Sequence, residues 1–188
     1  DFLIAYIEKC FGAPWYAEEK RIPVGAAHPA FEWFEGLRAF QKRNNGNQEP
    51  GGLFFGERDG PTAAYLLLAY DLFILAHHQA LQESLLRRLR RKESFQGARY
   101  ELAVAALFIR AGFELEHEDE TDSTLKHPKF IATHLSTGQR LAVEAKSRVR
   151  PGILGQPGDP NETPTAGIVA SAGHRSLAYR CGSARGCL

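Results

Sequence analysis

The spacing of apolar residues predicts helices in the first half of the chain. Apolar side chains recur about every third position between Phe31 and Phe40, which is typical of a helix over 31–43 that buries one face. An Asn- and Gly-rich loop follows. From Pro61, which a first helical turn tolerates, apolar residues continue almost without interruption to Leu86. They predict one long, largely buried helix.

The pattern then changes from helical to extended. Ser94 is a suitable N-cap for a helix over 95–111, and Gly112 is placed where it ends that helix. Short runs of apolar and β-compatible residues at 113–116, 130–134 and 140–147 predict three strands. The turn-forming residues at 136–138 indicate that the last two strands form a hairpin.

These elements divide the chain into three parts and define an α/β fold class. We expect a mainly helical N-terminal region over 1–92 and an α/β core over 93–158, in which a helix precedes a mixed sheet of three or more strands. Proline, glycine and small polar residues interrupt any period over 159–188, so a disordered or non-native tail is expected there. The start at Asp1 and the absence of methionine favour a fragment or an incomplete gene product.

Composition narrows the class of protein. Of the 188 residues, 44% are hydrophobic and 24% are charged, which excludes disordered and fibrous classes. Three scattered cysteines do not make a disulfide framework, and no secretory signal is recognisable, so we expect a cytoplasmic protein. The longest apolar run, 63–76, contains Asp71 and is shorter than the roughly 20 residues of a membrane span. No membrane association is therefore expected.

Positive charge is local rather than global. The formal net charge of +1 supplies no overall attraction for phosphates, but a basic run lies at the end of the long predicted helix. It consists of Arg87, Arg88, Arg90, Arg91 and Lys92. A solvated helix end that complements the helix dipole is the favoured interpretation, and a surface that contacts phosphates is the alternative.

Glu101 lies in an apolar stripe of the third predicted helix, because its neighbours one turn away are small or apolar. A buried, ionised carboxylate needs a cation, a hydrogen-bond network or a metal nearby. By itself the pattern favours a buried ion pair with Arg99, with Arg110 or with a lysine from the sheet.

Glu144 and Lys146 occupy alternate positions of the last predicted strand, so they share one face, whereas Val143 and its apolar neighbours point into the other layer. A carboxylate and an ammonium roughly 6 to 7 Å apart can hold a divalent metal and a water. The carboxylate ligates the metal, and the lysine orients the nucleophile. The same spacing also occurs by chance in solvent-facing pairs.

The order of these signals is more specific than each signal alone. A helix with Glu101, extended segments and then Glu144-Ala145-Lys146 resembles the PD-(D/E)XK phosphodiesterase superfamily, which includes many restriction endonucleases and repair nucleases. The residues at 95–101, 118–120 and 143–148 are also similar to uncharacterised bacterial proteins assigned to that superfamily. The resemblance covers about 64–158, half of the chain.

This resemblance implies a restriction-endonuclease-like core in which Glu101, Glu144 and Lys146 converge as the catalytic residues. It implies Mg²⁺ or Mn²⁺ as the cofactor, held by Glu101 and Glu144, and nucleic acid as the partner, with DNA preferred over RNA. The family fold also contains a further helix and strand after the lysine strand. Because the residues beyond Arg150 do not supply them, we expect the core to be incomplete.

The chain departs from the family pattern at the start of the second strand, where Lys129 replaces an acid. A lysine there adds a positive charge where the metal should bind. Asp119 is the favoured substitute ligand, with Asp122 as a second choice, whereas His127 or His134 would suit a softer metal. The hypotheses are therefore a metal-dependent nuclease, an inactive nuclease-fold module that binds nucleic acid or protein, and a structural fragment without independent function.

Overall fold

The computed structural model describes residues 2–44, 56–57, 59–117 and 128–146, together with the backbone of strands at 48–49, 53–54, 167–172 and 175–180. Within these ranges the protein is α/β. The helices are α1 Phe2–Phe11, α2 Ala13–Glu19, α3 Pro29–Arg43, α4 Gly60–His77, α5 Glu83–Leu89 and α6 Lys92–Arg110. The strands are β1 Gln48–Glu49, β2 Leu53–Phe54, β3 Phe113–His117, β4 Phe130–His134, β5 Arg140–Lys146, β6 Gly167–Ala172 and β7 Arg175–Arg180.

Side-chain caps and prolines set the starts of α3 and α4. The His28 ring accepts a hydrogen bond from the Ala30 amide at 3.1 Å, and α3 begins at the next residue, Pro29. Asp59 accepts a hydrogen bond from the Thr62 amide at 2.9 Å and caps α4 in the same way. These caps satisfy amides that have no partner inside the helix. The helix predicted over 31–43 is confirmed.

The single long helix predicted from Pro61 to Leu86 is wrong, because α4 ends at His77 and α5 begins at Glu83. Gln79 adopts a positive φ of 56° in the connection, and the Ala80 amide donates to the Leu75 carbonyl at 2.8 Å. Ala80 is buried like the apolar residues on either side of it. The chain therefore turns between α4 and α5 while its buried residues remain apolar. The spacing of apolar residues does not reveal this turn.

The predicted helix over 95–111 is confirmed as α6, although it begins earlier than expected. Its N-cap is Arg91 rather than Ser94, and Ser94 Oγ instead donates to the Arg88 carbonyl at 2.7 Å. Gly112 follows the helix with a φ of +85°, a conformation that favours glycine at a helix end.

The three predicted strands are confirmed as β3, β4 and β5. The expected hairpin is antiparallel, with Phe130 opposite Val143 and Ala132 opposite Leu141.

The main sheet has the order β3-β4-β5-β6-β7, and every neighbouring pair is antiparallel. The expectation of a mixed sheet is therefore not met by the strands that the structure describes. The structure also differs from the expected tail over 159–188, because β6 and β7 lie within it. Strand β5 offers an edge that a following segment can pair with, and local periodicity does not reveal such a long-range partner.

One hydrophobic core joins the helices to a single face of the sheet. Its fully buried side chains include Ile7, Tyr65, Leu72, Leu89, Phe95, Leu102, Phe130 and Val143. Because Val143 faces this core, Glu144 and Lys146 project from the opposite face of β5. No helix of the described ranges is long and apolar enough to cross a membrane.

Candidate functional site

Glu101 is buried in α6 and is neutralised by an arginine from α5. Its side chain is only 8% exposed, and Arg88 Nη2 lies 2.8 Å from Glu101 Oε1. The expected ion pair therefore exists, but its cation is Arg88 rather than Arg99, Arg110 or a lysine from the sheet. The short connection between α5 and α6 folds the two helices against each other and brings residues 13 positions apart into contact.

Glu144 and Lys146 lie together on β5, as strand alternation predicts. Lys146 Nζ is 3.9 Å from Glu144 Oε1, and the two side chains are 75% and 29% exposed. Glu116 and Arg140 form a second ion pair at 3.3 Å on the same face. Water screens both pairs, so neither contributes much to stability. The Glu144 carboxylate nevertheless remains accessible to a ligand from solvent.

The structure does not bring Glu101 to this pair. Helix α6 packs on the face of the sheet that carries Val143, whereas Glu144 and Lys146 leave the other face. No hydrogen bond or ion pair joins Glu101 to either of them within the described coordinates. The expected convergence of the three residues is therefore not found. Strand alternation shows that Glu144 and Lys146 share a face, but it does not show which face the helix covers.

Position 129 lies beside Glu144. The Lys129 amide donates to the Val143 carbonyl at 2.8 Å, and Phe130 is in register with Val143, so the residue just before β4 lies next to the Val143–Glu144 part of β5. Glu144 alternates with the core residue Val143 and thus belongs to the face of β5 opposite the core. An acid at position 129 would lie next to the acid of β5. In this chain the neighbour is a lysine.

The alternative ligands named from the sequence fall into two groups. Asp119, Asp122 and His127 lie outside the described residues. His134 lies at the other end of β4, about 13 Å along the strand from Phe130, where its ring contacts Ser136, Thr137 and Phe113. This histidine therefore stabilises the hairpin turn and is not a partner of Glu144.

The described side chains offer few ligands for a divalent cation. In the part of the chain that the structure describes, no group of three or more His, Cys, Asp or Glu side chains is arranged to hold a metal ion. Glu144 supplies one accessible carboxylate. The carboxylate of Glu101 is buried and forms an ion pair with Arg88. Mg²⁺ and Ca²⁺ sites take several oxygen ligands. The described residues therefore do not make a metal site by themselves.

The basic run at 87–92 is not one free helix tip. Arg88 is paired with Glu101. Arg90 donates hydrogen bonds to the Cys10 carbonyl and to Glu83, and Lys92 Nζ donates one to the Ala26 carbonyl at 2.6 Å. The other two cations, Arg87 and Arg91, are exposed. Because the run crosses from the end of α5 into the start of α6, only its first part complements a helix dipole.

Two buried features were not anticipated from the sequence. His28 is 1% exposed among Phe11, Trp15 and Phe95, and burial lowers its pKa to about 4. Asp71 lies in a groove between α4 and α6, and burial raises its pKa to about 6. The interruption of an apolar run by Asp71 was the available signal. For His28 the sequence carried none, because its aromatic neighbours are distant along the chain.

The chain matches no family model, no curated protein and no solved structure.

Proposed function

We propose that 93–158 forms a PD-(D/E)XK-type nuclease domain, a metal-dependent phosphodiesterase that acts on DNA in preference to RNA. The observation that carries this proposal is the register of β4 and β5. It brings the residue just before β4, Lys129, next to the Val143–Glu144 part of β5, and Lys146 shares a face of β5 with Glu144. Adjacent strands that bring these positions close together support the family arrangement, and helix α6 precedes them in the expected order.

The proposal assigns different tasks to the residues on this face. Lys146 is 75% exposed and can contact a phosphate oxygen beside Glu144. Glu144 and Asp119 would hold Mg²⁺ or Mn²⁺, and the segment that contains Asp119 leads from β3 into Lys129. Glu101 has a different role from the one expected of it, since its carboxylate supports the packing of α6 on α5 through Arg88.

A second candidate function is a catalytically inactive module of the same fold that binds nucleic acid. The observations in its favour are the lysine at position 129 and the capture of Glu101 by Arg88. In this version Lys129 and Lys146 contact phosphates, which would make binding strongly dependent on salt and weakly dependent on sequence.

Cleavage of labelled DNA and RNA in Mn²⁺, followed by gel electrophoresis, tests the first candidate. We expect the wild type to cleave DNA and Glu144→Gln to be at least about 10²-fold slower. Glu114→Gln is the matched control, because Glu114 is an exposed carboxylate on the same face of the sheet. Equal loss in both variants would show that general charge, rather than the position of Glu144, matters.

Lys129→Asp distinguishes the two candidates. Exchanging a cation for an oxygen ligand beside Glu144 should raise the affinity for Mn²⁺ in a calorimetric titration. Nucleic-acid binding without cleavage, in the wild type and in Lys129→Asp, would support the inactive module. If neither protein binds Mn²⁺ or nucleic acid, both candidates fail.

A further inference from the structure

A groove between α4 and α6 has no part in the proposed nuclease surface. It encloses about 340 Å³, which is within the range of roughly 300 to 1,000 Å³ for small-molecule sites. Its walls include Leu67, Asp71, Gln96, Arg99, Tyr100 and Arg110. None of these residues belongs to the sheet, so the groove can be tested separately from Glu144.

Two arginines line the groove without forming ion pairs. Arg99 Cζ lies 4.6 Å from the centre of the Trp33 ring, and Arg110 Cζ lies 5.8 Å from that of Tyr70. Stacking on an aromatic face orients a guanidinium but leaves its N–H groups free to donate in the ring plane. Neither guanidinium makes a hydrogen bond or an ion pair with another residue of the described ranges.

Asp71 adds an acceptor to this groove. Its carboxylate is half-buried and makes no hydrogen bond or ion pair with any residue that the structure describes. Burial raises its pKa to about 6, although Arg110 and Arg99 of the facing helix act in the opposite direction. A half-buried carboxylate without a hydrogen bond is unfavourable. A ligand that donates to it would remove that cost.

We propose that this groove binds a small phosphate ester that carries a free hydroxyl group. Arg99 and Arg110 donate to the phosphate oxygens, and Asp71 accepts from the hydroxyl. The arginines are three helical turns apart on one face of α6, with Cα atoms about 16 Å apart. Both arginines lower the pKa of the Asp71 carboxyl against the effect of burial, so both lie close enough to act on the same part of the groove.

The net positive charge of the groove excludes cationic ligands. With Asp71 ionised, its three charged side chains sum to +1, and with Asp71 protonated they sum to +2. A cationic ligand would be repelled in both states, whereas planar guanidinium groups match the geometry of phosphate oxygens. Leu67 and Leu68 provide an apolar wall for the carbon skeleton of the ester.

Calorimetric titration with two matched esters tests the proposal. Glycerol 3-phosphate and methyl phosphate carry the same phosphate group, but only the first has free hydroxyl groups. At pH 8 we expect the wild type to prefer glycerol 3-phosphate. Arg99→Gln and Arg110→Gln should each weaken its binding by about tenfold or more, as expected for loss of a charge-assisted hydrogen bond.

Matched variants control for folding and for general charge. Arg91→Gln removes an exposed cation at the start of the same helix, outside the groove, and should leave affinity unchanged. Arg99→Lys keeps the charge and the fold but loses the planar group, so it should also bind less tightly. Equal losses in Arg91→Gln and Arg99→Gln would overturn the proposal, as would the absence of binding by the wild type at millimolar ester.

A second titration with sulfate tests the contribution of Asp71, because sulfate keeps its charge between pH 5.5 and pH 8. Protonation of Asp71 removes the negative charge from the groove, so the wild type should bind sulfate roughly threefold or more tightly at pH 5.5. Asp71→Asn should bind it equally at both pH values. A pH effect that persists in Asp71→Asn would show that another group is responsible and would overturn the role assigned to Asp71.

Discussion

Arg88 and Glu101 form an ion pair with a separation of 2.8 Å between Nη2 and Oε1, and this pair joins α5 to α6. Glu101 is almost fully buried, whereas Arg88 retains access to water. Removing the arginine would leave a buried carboxylate without its counter-charge. Loss of one partner from a fully buried pair costs about 3 to 5 kcal/mol.

The first prediction is that Arg88→Ala lowers the free energy of unfolding by about 2 kcal/mol, below that range because Arg88 is partly exposed. Urea denaturation measures the change. Arg87→Ala is the control, since Arg87 is the exposed neighbour on the same helix, and it should change stability by less than about 0.5 kcal/mol. Equal stabilities for the two variants would mean that the ion pair does not support the fold.

The second prediction concerns His28, whose pKa burial lowers from 6.5 to about 4. Above pH 6.5 the ring is neutral in both folded and unfolded chains. As the pH falls from 6.5 towards 4, only the unfolded chain takes up the proton, so the free energy of unfolding should fall by about 3 kcal/mol.

The measurement for His28 is the pH dependence of urea denaturation in variants. His28→Asn retains a side chain that can cap α3 and should lose this part of the pH dependence. His77→Asn removes an exposed histidine of α4 and should keep it. A wild-type pH dependence in His28→Asn would contradict the assignment to His28.

The third prediction is that Tyr65→Phe lowers the free energy of unfolding by about 1 kcal/mol. The hydroxyl oxygens of Tyr16 and Tyr65 are 2.8 Å apart, and Tyr65 is fully buried. Burial also raises the pKa of Tyr65, so both hydroxyls remain protonated at neutral pH. Tyr70→Phe, at an exposed position of the same helix, should be close to neutral in thermal or urea denaturation.

The fourth prediction concerns the close approach of α3 and α4 at Gly36. A Cβ added there would lie 2.5 Å from Pro61 Cβ, and the proline ring cannot rotate away. Gly36→Ala should therefore cost about 1 to 3 kcal/mol through overpacking. At Gly60, an added Cβ meets nothing within 4 Å, so Gly60→Ala should have no comparable effect in the same denaturation assay. A stable Gly36→Ala variant would show that the helices can separate at little cost.

The elements of this fold that could be predicted are those with a local signature. The helix that became α6 and the β4–β5 hairpin each combine a clear period with suitable flanking residues, and both are confirmed. The break at Gln79 carries no such signature, because buried side chains on both sides of it are apolar. Strand β6 depends on pairing with β5, which is a long-range interaction, and β7 pairs in turn with β6.

The candidate site could be predicted only in part for a related reason. Alternation along β5 was sufficient to place Glu144 beside Lys146. The partner of Glu101 depends on how α5 folds back on α6, so spacing within one helix suggested Arg99 and Arg110 instead of Arg88. Those two arginines stack on aromatic rings and line the α4–α6 groove.

The shared core has a practical consequence for dissecting the protein. The boundary between 92 and 93 falls within the first turn of α6, and Leu89 and Phe95 on either side of it are fully buried in the same cluster. A gene fragment that encodes only 93–158 would leave the apolar surface of α6 without α4 and α5 to cover it. Domain-swap chimaeras and minimal expression fragments should therefore carry α4, α5 and α6 together with the sheet.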